Sequence, residues 1–445
     1  MSAARSFPNW VMLERFIFRV DDDKEFPDDV IRASGLTSQE NPFHVAFRLS
    51  NPPGISRIYV QLPGFPNSRN VLPFSVVATH RHLVLFTLPP CTELDNDGPS
   101  IRPPENDRRM VMLRSTGLLY LGNQDEFEVV ELNLYLSRPQ VVLAQLCLLR
   151  SHISKVASSG WRTIRLPIHV HGNPDDVHQL YSWKTDTVIP FDNQLCWIDY
   201  MRGILFYDPA AIVVSFLPFP VDHETPRRNK ECFWLYRGVS VLDASGVLKF
   251  IDVARDDGLG FESLRRDAGF TVTCYSLVLG EHKKKKKKHR RTMEWREDYK
   301  ITSNELWSIN SLDCLPRTLL MFPQVDIDRP HIVHFLAPEL RYVIKKMWVV
   351  AIDMNTKIVE SSSLYINGKE DLQTEDAGLT RAKSRFPQSF LPSDFSKFIT
   401  FSSTSSCPAT ILLSSKYAMV PGEDSVVSRH WLKELFHVVV YFYAL

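Results

Sequence analysis

The sequence predicts a mostly β protein of consecutive antiparallel hairpins, propeller-like in plan, with few short helices. Three observations predict it. Short β-branched and aromatic runs recur from end to end, divided by Pro, Gly, Asn and Asp. Several of these runs are apolar at every position instead of at alternate ones. A strand, an Asp, a turn and a returning strand recur in the second half of the chain. Composition agrees, with 29 Pro and 27 Phe among 445 residues but only 18 Gly. Aromatics with frequent Pro turns suit strands better than helices.

The N-terminal strands read as FIFRV, PFHVAFRLS, SRIYVQL, FSVVATH, LVLFTL, EFEVVELNLYL and WRTIRLPIHV. After them come QLCWIDY, GILFYD, AIVVSFLPF, FWLYRGVSVLD, VLKFIDVA, FTVTCYSLVLG, HIVHFLA and KMWVVAIDM. QVVLAQLCLLRS has helical spacing and reads equally as a strand. The polar stretch 371–399 is the other helical candidate. In GILFYD, Ile204 and Phe206 point one way while Leu205 and Tyr207 point the other, so both faces are covered. A two-layer sandwich alternates more cleanly. A propeller blade, packed between two neighbours, does not.

LCWIDYMRGILFYD, VSVLDASGVLKFIDV and WVVAIDMNTKIVES share one layout, around Asp199, Asp243 and Asp353. Asp can bond turn amides two residues on, and Gly203 and Gly246 can supply positive φ. Asp199 and Asp243 lie 44 positions apart, near the roughly 40–50 of known propeller repeats. Asp243 and Asp353 lie 110 apart, which is no clean multiple. Trp197 is expected in the core, with Asp199 bonding the amides of the Gly203 turn.

Bulk properties exclude several function classes. Lys plus Arg is 52 and Asp plus Glu is 51, so no global charge points to nucleic acid or a membrane surface. Seven cysteines form no close pair and sit mostly in apolar runs. They read as free thiols of a reducing compartment. PNWVML is broken by Glu14 and Arg15 and is no secretory signal. No Asn-x-Ser/Thr acceptor occurs, and VVVYFYAL is too short to span a bilayer. The expected location is the cytoplasm, the nucleus or both.

The sharpest local signal is the basic run Lys283, Lys284, Lys285, Lys286, Lys287, Lys288, Arg290 and Arg291. It reads as an exposed loop that serves nuclear import or meets an anionic partner. Paired histidines (His80 with His82, His169 with His171) and the group Asp326, Asp328, His331 and His334 invite a metal reading. No segment supplies three or four ligands at a motif spacing, so they read as turn and strand residues. Asp21 to Asp23, Asp199 with Asp208, and Asp256 with Asp257 read as turn caps. Trp161, Trp183, Trp197, Trp234, Trp295, Trp307 and Trp348 read as core anchors. There is no G-x-S-x-G elbow, Walker loop, dinucleotide fingerprint or H-E-x-x-H, and no catalytic, metal or cofactor residue is assigned.

WKTDTVIPFDNQLCWIDYMRGILFYDP, YRGVSVLDASGVLKFIDVARDDG and FTVTCYSLVLG closely resemble a plant family, expanded in grasses, known as domain of unknown function 1618. The likeness extends N-terminally over WVMLERFIFR and PFHVAFRLSNPPGISRIYVQLPGFP. C-terminally it extends over MEWREDYKITSNELWSI and MWVVAIDMNTKIVES. It implies a single large β domain over 8–400, with a family core of about 183–340. No activity, cofactor or catalytic residue comes with it. The central strands are also similar to plant F-box-associated propeller-like domains, which are interaction surfaces. Two segments depart from the family pattern: the basic loop 282–291 and an atypical tail, 402–445. The resulting expectation is a non-catalytic protein-interaction scaffold with protein partners, no cofactor and no membrane. An enzyme with a site near a propeller channel, or a nuclear nucleic-acid-associated factor acting through the Lys-rich loop, are the alternatives.

Overall fold

The structure is a computed structural model that describes residues 7–22, 24–27, 31–36, 42–63, 75–88, 115–122, 126–138, 141–152, 162–221, 232–242, 246–258, 263–280, 292–311, 315, 317–340, 344–366, 379, 389–398, 409–415 and 436–442. These residues are mostly β, and among them no helix is long and apolar enough to cross a membrane. They fall into two compact units, one drawn from 1–51, 55–110 and 393–445, the other from 52–54 and 111–392.

The first unit carries β1 (Val11–Arg19), β2 (Ile31–Leu36), β3 (Pro42–Arg48), β4 (Ile55–Gln61), β5 (Ser75–His80) and β6 (Leu83–Leu88). Two further strands come from late in the chain: β24 (Ala409–Ser415) and β25 (Phe436–Phe442), counted after the short β23 (Leu391–Ser393). The sheet runs β2-β3-β4-β1-β5-β6-β25-β24, with β1 parallel to β4. β25 pairs antiparallel with β6, from Phe436↔Leu88 to Tyr441↔Leu83. β24 comes back near β2, so the sheet curls toward closure. Phe43, Phe47, Tyr59 and Phe86 are fully buried and fill it.

The second unit is a succession of four-stranded antiparallel meanders. The first holds β7 (Thr116–Tyr120), β8 (Glu126–Arg138), β9 (Val141–His152) and β10 (Arg162–Val170). Next come β11 (Thr187–Phe191), β12 (Gln194–Asp199), β13 (Gly203–Asp208) and β14 (Val213–Pro218). The third holds β15 (Arg237–Leu242), β16 (Val247–Arg255), β17 (Phe270–Gly280) and β18 (Thr292–Thr302). The fourth holds β19 (Met321–Val325), β20 (Ile332–Leu340), β21 (Ile344–Asp353) and β22 (Ile358–Ile366). β10 also runs parallel to β14, joining the first two meanders into one eight-stranded sheet.

The second meander is covered on both faces, as its all-apolar strands predict. Leu195, Trp197, Leu205, Tyr207 and Phe216 pack against Val130, Leu132, Ala144 and Leu146 of the first meander. Cys196, Ile198, Ile204 and Phe206 turn the other way, against Val239, Leu248, Phe250 and Leu277 of the third. Each large apolar side chain so buried contributes about 1.5–3 kcal/mol relative to exposure.

Glycine permits the closest approaches between meanders. A Cβ on Gly238 of β15 would lie 1.9 Å from the Pro323 carbonyl oxygen of β19, and one on Gly117 of β7 would lie 2.6 Å from Val188 of β11. Gly203 corrects its sequence reading. It has no positive φ; it is required because a Cβ would sit 2.2 Å from the Leu217 carbonyl oxygen. Gly246, at φ +58°, is the turn glycine expected. QVVLAQLCLLRS is also settled: it is the strand β9, because Val142, Ala144, Leu146 and Leu148 all face the core at a spacing of two.

Candidate functional site

The sequence-predicted carboxylates go into turns. Asp199 is buried, and its Oδ1 accepts the Met201 amide at 2.9 Å. Its Oδ2 accepts the Lys184 amide at 2.8 Å and the Arg202 guanidinium at 2.7 Å. Trp197, two residues earlier, is fully buried and donates from Nε1 to the Ser115 carbonyl at 2.7 Å. Asp208 accepts the amides of Ala210 and Ala211. Asp353 does the same for Asn355 and Thr356, which holds its carboxyl below the usual range although burial works the other way. Asp257 grips Arg255 through both oxygens, at 2.8 and 2.9 Å. Tyr236 shares that guanidinium, and burial pushes its phenol up to about 12. Asp21 accepts the Leu62 amide and pairs with Arg19, and Asp22 accepts the Lys24 amide; Asp23 lies outside the described residues.

Two edge strands carry carboxylates at β-bulges. In β18 the register skips Asp298 between Cys274↔Tyr299 and Tyr275↔Glu297. The displaced carboxylate receives Lys249 of β16 at 2.9 Å and the Ser276 hydroxyl of β17 at 2.5 Å. In β22 the register skips Glu360 between Ala351↔Ser361 and Ile352↔Val359. Glu360 takes Arg329 at 2.7 Å, and Arg329 also reaches Asp326 at 3.2 Å. Bulges re-aim side chains in this way wherever they occur in sheets. Asp326 meets His334 Nε2 at 3.2 Å and accepts the amides of Asp328 and Arg329. Burial would raise its carboxyl; the His334 and Arg329 contacts outweigh that and hold it below the usual range.

The histidine reading resolves accordingly. His334 is fully buried beside Asp326, whereas His331 is half-buried in the turn and accepts the Met354 amide on its carbonyl. His80 and His82 sit at a hairpin turn where Arg81 has φ +51°. His169 is exposed and His171 half-buried at the end of the first meander. Among the described residues no group of three or more His, Cys, Asp or Glu could hold a metal ion. Lys283 to Lys288, Arg290 and Arg291 lie outside the described residues, as does Trp161. Trp183, Trp234, Trp295, Trp307 and Trp348 are half-buried.

One solvent-facing arrangement was not singled out from the sequence. β8 and β9 are 13 and 12 residues long, and at their hairpin end Tyr135, Leu136 and Val141 are 39%, 59% and 46% exposed. On the face of this meander that points away from the Trp197 core, cross-strand pairing builds two rows. Asn133↔Gln145↔Arg165 form one, and Tyr135↔Leu143↔Pro167 form the other. Arg165 Nε donates to Gln145 Oε1 at 2.8 Å, and its guanidinium lies 4.3 Å over the Tyr135 ring. Two contacts therefore fix its plane, while its two terminal amino groups make no hydrogen bond among the described residues. The sequence signal was the clean alternation of RTIRLPIHV, which sets Arg165, Pro167 and His169 on one exposed side and Ile164, Leu166 and Ile168 on the other.

No curated protein matches the chain. The Asp298 bulge, the Asp199 turn and the Asp326–His334 pair fall within 197–334, whereas Glu360 lies after it and the Tyr135–Arg165 face before it. Residues 197–334 match the family described as "Protein of unknown function (DUF1618)", the one the sequence resembles.

Proposed function

We propose that the chain is a non-catalytic protein-interaction scaffold of propeller-like plan, working in the cytoplasm or nucleus of a plant cell. The plan is supported by successive four-stranded meanders whose first strands approach through Gly117 and Gly238, as inner strands of neighbouring blades do. The intracellular setting is supported by Cys147, Cys196, Cys232 and Cys274, all free thiols.

The observation that carries the binding role is the open face of β8, β9 and β10. It joins an exposed aromatic ring, a pre-oriented guanidinium and the exposed Val141 and Pro167 side chains on a rigid sheet. Tyr and Arg are the residue types that dominate binding hot spots. The carboxylates of the matched segment are by contrast engaged by turn amides and cations within the fold. Affinity purification of the full chain from plant tissue, beside a Tyr135→Ala/Val141→Ser variant, tests the reading. A stoichiometric partner that the variant loses is expected. Partners retained in full by a folded variant would count against this face.

A further inference from the structure

We propose that the open face of β8–β10 is a receptor for an extended acidic segment of a partner protein, with Arg165 taking a carboxylate of that segment. The inference rests on the scaffold reading and adds the partner's chemistry to it.

Charge gives the sign of the ligand. The charged side chain described as exposed on this face is basic, Arg165; Arg150 and Arg162, also exposed, lie on the side of Leu148 and Ile164. The acidic ones are withdrawn. Glu128 is buried and paired with Arg150 at 2.8 Å, Glu131 is buried at the border of the face, and Glu126 is half-buried. A partner carboxylate therefore meets no exposed like charge there.

Geometry selects a carboxylate over a diffuse anion. The Gln145 bond and the Tyr135 ring hold the Arg165 plane and leave its terminal nitrogens to project as a fork. A planar fork matches a carboxylate through two parallel hydrogen bonds, and a guanidinium so held loses little freedom on binding. The adjacent row, Tyr135, Leu143 and Pro167, offers an apolar bed. Side chains two apart on one face of a strand are separated by about 6.8 Å, twice the rise per residue. An extended peptide running along the strands has the same period. Its acidic residue and an apolar residue two positions away would thus reach both rows together. Single-stranded nucleic acid, the other anionic candidate, is read on platforms with several stacking aromatics, and these rows offer only Tyr135.

The test is panning of a randomised heptapeptide display library against the full chain and against Arg165→Ala. Thermal melting would confirm that the variant folds, as an exposed position allows. Enrichment of Asp or Glu two positions from an apolar residue is expected on the parent chain. Synthetic peptides of that pattern should bind Arg165→Ala at least about tenfold more weakly and Arg165→Lys several-fold more weakly. Replacing their Glu by Gln should cost a similar factor, and raising salt should weaken them. Enrichment of motifs without acidic residues, equal binding to Arg165→Ala, or tighter binding of a single-stranded oligonucleotide at this face overturns the proposal. The first two of these leave the scaffold reading standing. No enrichment at all, with partners retained by the Tyr135→Ala/Val141→Ser variant, removes both.

Discussion

Replacing Trp197 and Asp199 separately measures how the second meander is held. Trp197 is fully buried within the core shared by the first two meanders. Truncation to Ala should cost about 3–5 kcal/mol, the range for a buried large aromatic. Trp197→Phe keeps most of the packing and loses one hydrogen bond. The Ser115 carbonyl still accepts the Leu132 amide at 3.1 Å, so it is not orphaned and the cost should be about 1–3 kcal/mol. Read from sequence, Asp199 makes one turn bond worth about 1 kcal/mol. The structure gives it three donors at 2.7–2.9 Å and 2% exposure. Asp199→Ala strands two amides and the Arg202 charge together. Because Lys184, Met201 and Arg202 keep some solvent access, the expected cost is about 2–4 kcal/mol, below the sum for fully buried groups. Urea unfolding followed by tryptophan fluorescence for Asp199→Ala, and by circular dichroism for the Trp197 variants, reads both. An Asp199→Ala cost under about 1 kcal/mol at unchanged m-value would show that the three bonds do not act together. A small effect at Trp197 would sink the core assignment.

Gly238→Ala places a methyl 1.9 Å from a backbone carbonyl that no rotamer change can relieve; a loss of about 3 kcal/mol or more is expected in chemical unfolding, and a neutral variant would refute the close approach. Native alkylation should modify Cys147 and Cys232 before Cys196 and Cys274, which are buried and whose thiols burial pushes up, Cys274 to about 11; early labelling of Cys274 would contradict that order. Asp326→Asn should destabilise most near neutral pH. Its lowered folded pKa means the stabilisation is present above the unfolded value of about 3.9 and fades as pH falls through the folded one; a difference from the parent that grows on acidification would reverse the assigned sign. Replacing Lys283 to Lys288 by Ser should abolish nuclear entry of a large fusion while changing melting little, and unchanged entry would end the import reading.

Much of the fold was legible because covered strands announce themselves. The alternation of Ile204 and Phe206 against Leu205 and Tyr207 named both faces of β13 before either neighbour was known. Asp199 and Asp353 were legible as turn formers since Asx turns are local in sequence. What was not legible depends on distant backbone. Gly203 looks like any turn glycine, and only the Leu217 carbonyl against it reveals a packing role. The bulges at Asp298 and Glu360 follow from the register with a partner strand, which no periodicity encodes. β9 is ambiguous by composition, because Leu, Ala and Gln favour helix, and the long pairing with β8 decides for strand. The Tyr135–Arg165 contact joins residues 30 positions apart, and the pattern of either strand shows only that one side is open.

The placement of the bulges bears on how a partner can dock. A sheet edge with unpaired amides invites strand addition, and proteins blunt such edges with bulges and charges. β18 and β22 end their meanders, and both are bulged at an acidic residue that pairs within the fold. The Asp298 bulge ties β18 to Lys249 and Ser276 across two strands, and the Glu360 bulge ties β22 to the turn through Arg329. The outer line of backbone groups is therefore interrupted where an added strand would need continuous register. β10 is paired at its end, where β14 runs beside Ile168 to Val170. Side chains on a sheet face, not backbone on an edge, are left to recognise a partner. The Arg165 fork lies on such a face, with its strand held between β9 on one side and β14 at its end. Recognition should then depend on ligand side chains: N-methylation of a bound peptide's backbone should weaken it little, whereas exchanging its acidic residue for an amide should release it. A peptide whose affinity collapses on backbone N-methylation alone would reveal edge pairing and refute docking on the face.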